Sequence, residues 1–127
     1  MKEKPTILIC DDDEFISRMY GFKFESEGYT VVIANSGEKV IPLIKKIKPG
    51  LVILDLMMPV MSGFEVLEEL RGDEDMSLKN VPIIAVSNLS QQSDVDVVMK
   101  YNFADILVKS RITPNELFEA AVQHIQA

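Results

Sequence analysis

A chain of 127 residues, 47% of them hydrophobic, is enough for one domain with a real core and no need of a disulfide or structural metal. With 13 Lys and Arg against 20 Asp and Glu, the net charge of −7 repels nucleic-acid phosphates and argues against direct DNA or RNA binding. The single Cys10 forbids an internal disulfide, no apolar run approaches the ~20 residues of a membrane span, and the N-terminus lacks a signal-peptide pattern, so a cytoplasmic protein without membrane insertion is expected.

Thr6-Ile7-Leu8-Ile9-Cys10 is apolar and β-branched and stops at Asp11-Asp12-Asp13, a first buried strand opening onto acids. The spacing of Ile16, Met19, Tyr20, Lys23 and Phe24 predicts a helix from Glu14, with Phe15 and Phe22 widening its apolar stripe. Asp13 is placed to cap it and Gly28 to end it. Residues 29–34 form a second β-branched run. Asn35-Ser36-Gly37 then starts a helix through Val40, Ile41, Leu43, Ile44 and Ile47, in which Pro42 predicts a kink or a late start. Lys48-Pro49-Gly50 ends that element.

Leu51-Val52-Ile53-Leu54-Asp55-Leu56-Met57-Met58-Pro59 is a nearly continuous apolar run, the pattern of a strand buried on both faces of a parallel sheet. It carries Asp55 at its C-terminal end, where ligands bind in open α/β sheets. Met61-Ser62-Gly63 reads as a turn, and the helix at 64–71 turns Phe64, Val66, Leu67 and Leu70 inward. Residues 72–80 read as a solvated polar loop. The fourth strand, 81–86, tolerates Pro82 at its start and ends on Ser87. Ser90 is placed to cap a helix over 91–101, with Val95, Val98 and Met99 apolar, and a fifth strand at 104–108 ends on Lys109. Thr113-Pro114-Asn115-Glu116 is a capping box with proline at the first helical position. It opens a last helix through Leu117, Phe118, Ala121, Val122 and Ile125.

Strand and helix alternate five times without a repeat or linker. Right-handed βαβ crossovers make this one α/β domain over residues 1–127, a doubly wound five-stranded parallel sheet with five helices on its two faces. Four strand ends then carry polar groups to one edge: Asp11 and Asp12, Asp55, Ser87 and Lys109. Clustered carboxylates repel one another and favour a bound cation, and a hard oxygen-seeking ion, Mg²⁺ above all, suits three acids and leaves room for a phosphoryl group. An Asp carboxylate can be a nucleophile that forms an aspartyl phosphate, while Lys109 and the Ser87 hydroxyl offer charge and a hydrogen bond to the phosphoryl oxygens. An EF-hand reading fails because the loop at Asp11 lacks the required glycine and the later bidentate Glu. Cys10 reads as a small core residue, and His124, without companions, as a surface or packing residue.

Ile7-Leu8-Ile9-Cys10-Asp11-Asp12-Asp13, Leu54-Asp55-Leu56-Met57-Met58-Pro59 with Gly63 beyond, Val86-Ser87, and Leu107-Val108-Lys109 together resemble the motifs of response-regulator receiver domains in two-component signalling. The resemblance covers essentially the whole chain. It implies a flavodoxin-like fold with strand order 2-1-3-4-5. It also implies Asp55 as the residue phosphorylated from the phosphohistidine of a histidine kinase or phosphotransfer protein. Asp12 would be a direct Mg²⁺ ligand and Asp11 a ligand through water, with Asp55 and the Met57 backbone carbonyl completing the protein's share. Ser87 and Lys109 would contact the phosphoryl group. A chain of this size is then expected to be a stand-alone receiver, monomeric or weakly dimeric, that controls a separate downstream protein or passes the phosphoryl group onward. A phosphorylation-independent adaptor and a metal-dependent Asp-nucleophile phosphohydrolase are the alternatives.

The sequence departs from the family pattern at four places. Ile106 stands where the family usually has Tyr or Phe three residues before the lysine, so the output switch is expected to use backbone loop movement or another residue. Ser110 replaces the usual cis proline, and a trans bond is expected because cis before a non-proline residue costs ~2.5–4 kcal/mol. Asn88 replaces a small alanine and narrows access to the site. Met57 and Leu89, two residues beyond Asp55 and Ser87, cannot hold an attacking water by a strong hydrogen bond, so slow loss of the phosphoryl group is expected.

Overall fold

The computed structural model describes residues 4–88 and 105–125. Five parallel strands, β1 (Thr6–Cys10), β2 (Thr30–Ala34), β3 (Leu51–Asp55), β4 (Ile83–Ser87) and β5 (Asp105–Val108), form one sheet in the order β2-β1-β3-β4-β5. Four longer helices accompany them: α1 (Glu14–Ser26), α2 (Val40–Ile47), α3 (Gly63–Arg71) and α5 (Pro114–Val122), with a single-turn α4 (Met76–Lys79) between α3 and β4. The helix expected over 91–101, its cap Ser90, and Leu89 and Ala104 lie outside the described residues.

The period of two along each strand divides the core between the two faces of the sheet. Leu8, Cys10, Val52, Leu54, Ile83 and Ala85 pack on one side with Val40, Ile41 and Ile44 of α2 and Val66, Leu67 and Leu70 of α3. Ile7, Ile9, Leu51, Ile53, Ile84 and Val86 pack on the other with Tyr20 and Phe24 of α1 and Leu117 and Ala121 of α5. β3 and β4 are buried at every position because both of their faces are covered, which is why they read as continuous apolar runs. Phe24, Tyr29 and Phe118 meet edge to face, with centroids 5.3–6.2 Å apart, and join α1 to α5.

Helix starts follow the expected chemistry. The Asp13 carboxylate accepts the Ile16 N–H at 3.1 Å to cap α1, and Gly28 follows its end at φ 94°. Thr113 and Glu116 form the reciprocal capping box of α5 with Pro114 at its first position. Ser62 and Glu65 form a second capping box at α3, the same Ser-x-x-Glu signal in a segment that reads from sequence only as a turn. A 3-10 turn at Gly37–Lys39 precedes α2, so Pro42 lies in the helix's first turn and the late start accommodates it.

Two expectations are corrected. Residues 72–80 are not simply a solvated loop: Leu78 of α4 and Val81 are buried, and the Arg71 guanidinium donates to the carbonyls of Lys79 and Val81, closing the segment onto α3. Phe15 and Phe22 do not widen the core face of α1. Both are 75% exposed and Met19 is also exposed, whereas Ser17, Tyr20, Gly21 and Phe24 are buried. The helix carries two stripes of helical spacing, 15-19-22 and 17-20-21-24, and the more polar one faces the sheet because the bare Cα of Gly21 lets α1 approach Val31, Ile33 and Ile9. No helix among the described residues is long and apolar enough to cross a membrane. No cis peptide bond occurs among them, and Lys109–Ser110 is trans, as expected, with a 3-10 turn over Lys109–Arg111.

Candidate functional site

Strand order reverses between β1 and β3, so the chain's connections leave in opposite directions there and open a crevice at the carboxyl ends of the strands. Register sets what meets in it. Cys10 pairs with Leu54, so Asp11 emerges beside Asp55. Asp55 pairs with Val86, so Ser87 stands one step further along the neighbouring strand. Ser87 pairs with Val108, so Lys109 follows at the same edge.

The side chains of Asp11, Asp12 and Asp55 converge: each offers an oxygen, and these oxygens lie within 4.8 Å of one another. The Lys109 ammonium bridges two of them, 2.7 Å from Asp11 Oδ2 and 3.1 Å from Asp55 Oδ2. Asp55 Oδ1 accepts the Met57 N–H at 3.0 Å, and Asp11 Oδ1 accepts the Asp13 N–H at 2.9 Å, which ties the acid loop to the cap of α1. Asp11, Asp55 and Ser87 are buried, whereas Asp12 is exposed. Ser87 closes β4 and is buried, and Ile106 is half-buried against the α2–α3 side of the core.

Two buried carboxylates, Asp11 and Asp55, therefore share the Lys109 ammonium beside the exposed Asp12, and burial removes much of the water that would otherwise screen the buried pair. Burial pushes the Asp55 carboxyl above the ordinary Asp value; the Met57 N–H works against this, the Asp11 charge adds to it, and Lys109 offsets part of it. For Lys109 burial acts to lower the pKa, but its hydrogen bonds to Asp11 and Asp55 outweigh that and hold the ammonium above the ordinary Lys value. The Cys10 thiol, buried beside them, is pushed strongly upward by burial and by Asp11 and Asp55, which fits an inert core residue. A compact, partly desolvated oxygen cluster with three acids to one paired ammonium among the described residues fits a hard divalent cation such as Mg²⁺.

The turn after β3 holds a feature that the sequence does not announce. Val60 has φ 70°, and the Met61 N–H donates to the Pro59 carbonyl at 2.8 Å. An i→i+2 hydrogen bond around a residue of positive φ is a γ-turn of the rare, strained kind, here centred on a β-branched residue. Gly63 folds this turn back onto β3: its N–H donates to the Leu56 carbonyl at 3.1 Å, and a Cβ there would lie 2.5 Å from the Asp55 carbonyl oxygen.

Residues 7–122 match the family described as response regulator receiver domain. A probable transcriptional regulator ycf27 of Porphyridium aerugineum is 37% identical over 123 residues, which is 97% of this chain and 48% of that protein. The DNA-binding dual master transcriptional regulator RpaA of a Synechocystis species is 39% identical over 90 residues, 71% of this chain and 36% of its own length. The chain thus spans about half the length, or less, of such relatives. The chemotaxis protein CheY4 of Vibrio cholerae superposes with TM-score 0.85 at 24% identity, over 96% of this chain and 99% of its own, a likeness of fold. The receiver domain of Francisella response regulator 1452 superposes with TM-score 0.81 at 27% identity, over 94% and 96%. By sequence, strand order and the acids at the switch point, this chain belongs to the response regulator receiver domain family.

Proposed function

We propose that Asp55 accepts a phosphoryl group from the phosphohistidine of a histidine kinase or phosphotransfer protein. Mg²⁺ would be held by Asp11, Asp12, Asp55 and the Met57 backbone carbonyl. The observation that carries this reading is the buried Asp55 carboxylate, flanked by two further acids and one ammonium where the strand order reverses.

In the transfer an Asp55 oxygen attacks phosphorus, and the new P–O bond forms as the P–N bond to the donor imidazole breaks, its electron pair staying on nitrogen. The Met57 N–H on Oδ1 and the Lys109 ammonium on Oδ2 fix the plane of the Asp55 carboxylate before a donor arrives. Lys109 and the Ser87 hydroxyl would then meet the equatorial phosphoryl oxygens. Mg²⁺ bound by the acids would supply the remaining positive charge. The phosphorylated and free forms differ in affinity for a second protein, the usual way in which a two-state domain carries a signal. The net charge of −7 supports protein contacts over nucleic-acid contacts for this chain. We place it in the cytoplasm, where such a donor would meet it.

Uptake of a single phosphoryl group per chain from a small phosphodonor in Mg²⁺ is the expected result. Continuous multiple-turnover release of phosphate from a phosphoester would instead indicate a phosphohydrolase. The lifetime of the phosphoprotein follows from Met57, whose exposed thioether side chain cannot bind a water firmly. Met57→Asn is expected to shorten the half-life roughly tenfold, the effect of about 1.4 kcal/mol from one well-placed hydrogen bond. A wild-type phosphoprotein that decays faster than the variant would contradict this.

A further inference from the structure

The 3-10 turn after β2 and the turn after β3 touch backbone to backbone. A Cβ added to the buried Gly37 would lie 1.6 Å from the Met61 carbonyl oxygen and 2.6 Å from its carbonyl carbon, so no side chain fits there without moving Met61. Met61 is the residue whose N–H closes the strained γ-turn at Val60, and four residues before it Met57 donates to the Asp55 carboxylate. On its other side the turn is held by Gly63 against Asp55 and Leu56. Val60 itself is exposed and contributes no burial that would offset its positive φ. Something outside the γ-turn must hold it, and the close backbone contacts at Gly37 and Gly63 are where it is held.

We propose that Gly37 is a positioning residue for the phosphoacceptor: its bare Cα clamps the Met61 carbonyl, keeps the Val60 γ-turn closed, and so sets Met57 against Asp55. The inference rests on the reading of Asp55 and Met57 as parts of a metal-assisted phosphoacceptor, and it concerns a residue from a different strand–helix corner. A side chain at position 37 pushes Met61 outward, and the stiff Val60 passes the displacement back toward Met57. A glycine at position 60 absorbs it instead, because glycine adopts positive φ and its neighbours freely.

The test uses the full chain and four variants: Gly37→Ala, Val60→Gly, the two combined, and Gly72→Ala as a control at a glycine with only ordinary contacts to the end of α3. Mg²⁺ affinity is read by calorimetry, and amide hydrogen exchange of Met57 is read without metal. Gly37→Ala is expected to weaken Mg²⁺ binding about 10- to 100-fold, the range seen when support of a metal ligand is lost, and to speed exchange at Met57. Adding Val60→Gly should restore both toward wild type, while Gly72→Ala changes neither. Val60→Gly alone should raise the melting temperature and leave Mg²⁺ affinity within about twofold, because glycine adopts the same positive φ while Gly37 and Gly63 still hold the turn. Should Gly37→Ala fail to fold, Val60→Gly still decides: a destabilisation as large as the roughly 1 kcal/mol that glycine costs through the unfolded chain shows that the turn stores no strain, and overturns the clamp. Unchanged Met57 exchange in Gly37→Ala, or no recovery in the double variant, overturns the proposal. A wild-type chain that takes up no Mg²⁺ counts against the phosphoacceptor reading, and the metal-free exchange rates then decide the clamp separately.

Discussion

Lys109→Ala is expected to destabilise the metal-free protein by roughly 3–5 kcal/mol, the cost of breaking a buried charge pair and leaving its partners uncompensated. The side chain of Lys109 is only 11% exposed, and it is the ammonium that bridges Asp11 and Asp55. Removing it leaves three converging carboxylates, two of them buried, with no ion-paired cation among the described residues. Added Mg²⁺ should narrow the gap between variant and wild type, because an ion that binds only the folded acids stabilises by mass action. Urea denaturation with chelator and then with Mg²⁺ measures both. A loss below about 1 kcal/mol, the size of an exposed ion pair, would contradict the electrostatic picture of the site.

Asp55→Asn is expected to abolish phosphoryl uptake, since an amide oxygen is no nucleophile of carboxylate strength, and also to stabilise the metal-free fold at neutral pH. The second effect follows from the sign of the pKa shift. Burial first, and then the Asp11 charge, hold the Asp55 carboxyl above its ordinary value, so its ionised form costs folding free energy. A group whose folded pKa is raised contributes stability below its unfolded pKa, ~3.9 for Asp, and loses it as pH rises through the folded value. The stability advantage of Asp55→Asn should therefore be full above the folded pKa and close as pH falls toward the unfolded one. Melting curves of the two proteins with chelator, over a series of pH values, give this difference directly. A variant less stable than wild type at neutral pH would show that Lys109 outweighs the burial of Asp55.

Legibility from sequence followed how local each signal was. β1, β3 and β4 are apolar at almost every position because both faces are covered, and Asp11, Asp12, Asp55, Ser87 and Lys109 could be found by asking where each run stops. Capping of α1 and α5 was equally plain, since Asp13 and the Thr113–Glu116 pair act within one turn. What failed depended on packing between segments distant in the chain. α1 offers two apolar stripes, and only its approach to β1 and β2 through Gly21 decides that Phe15 and Phe22 face outward. In residues 72–80 the polar majority hid Leu78, which is buried beside α3 and has no periodicity of its own to announce it.

Val60 and Gly37 are the sharper case. Nothing in Pro59-Val60-Met61 signals positive φ, which local sequence usually marks with Gly or Asn, and the partner that holds it lies across the sheet edge in another turn. The acids are therefore readable as a list, whereas the distances that make them a site are set by non-local contacts: Lys109 reaching Asp11 and Asp55, and the turn after β3 closing on Asp55.

Intact mass and peptide mapping of the wild-type chain after incubation with a small phosphodonor and Mg²⁺ test the central claim most directly. One added phosphoryl group, located on Asp55 and lost when Mg²⁺ is withheld, is expected; a phosphoryl group on another residue, or none at all, would show that Asp55 is not the acceptor.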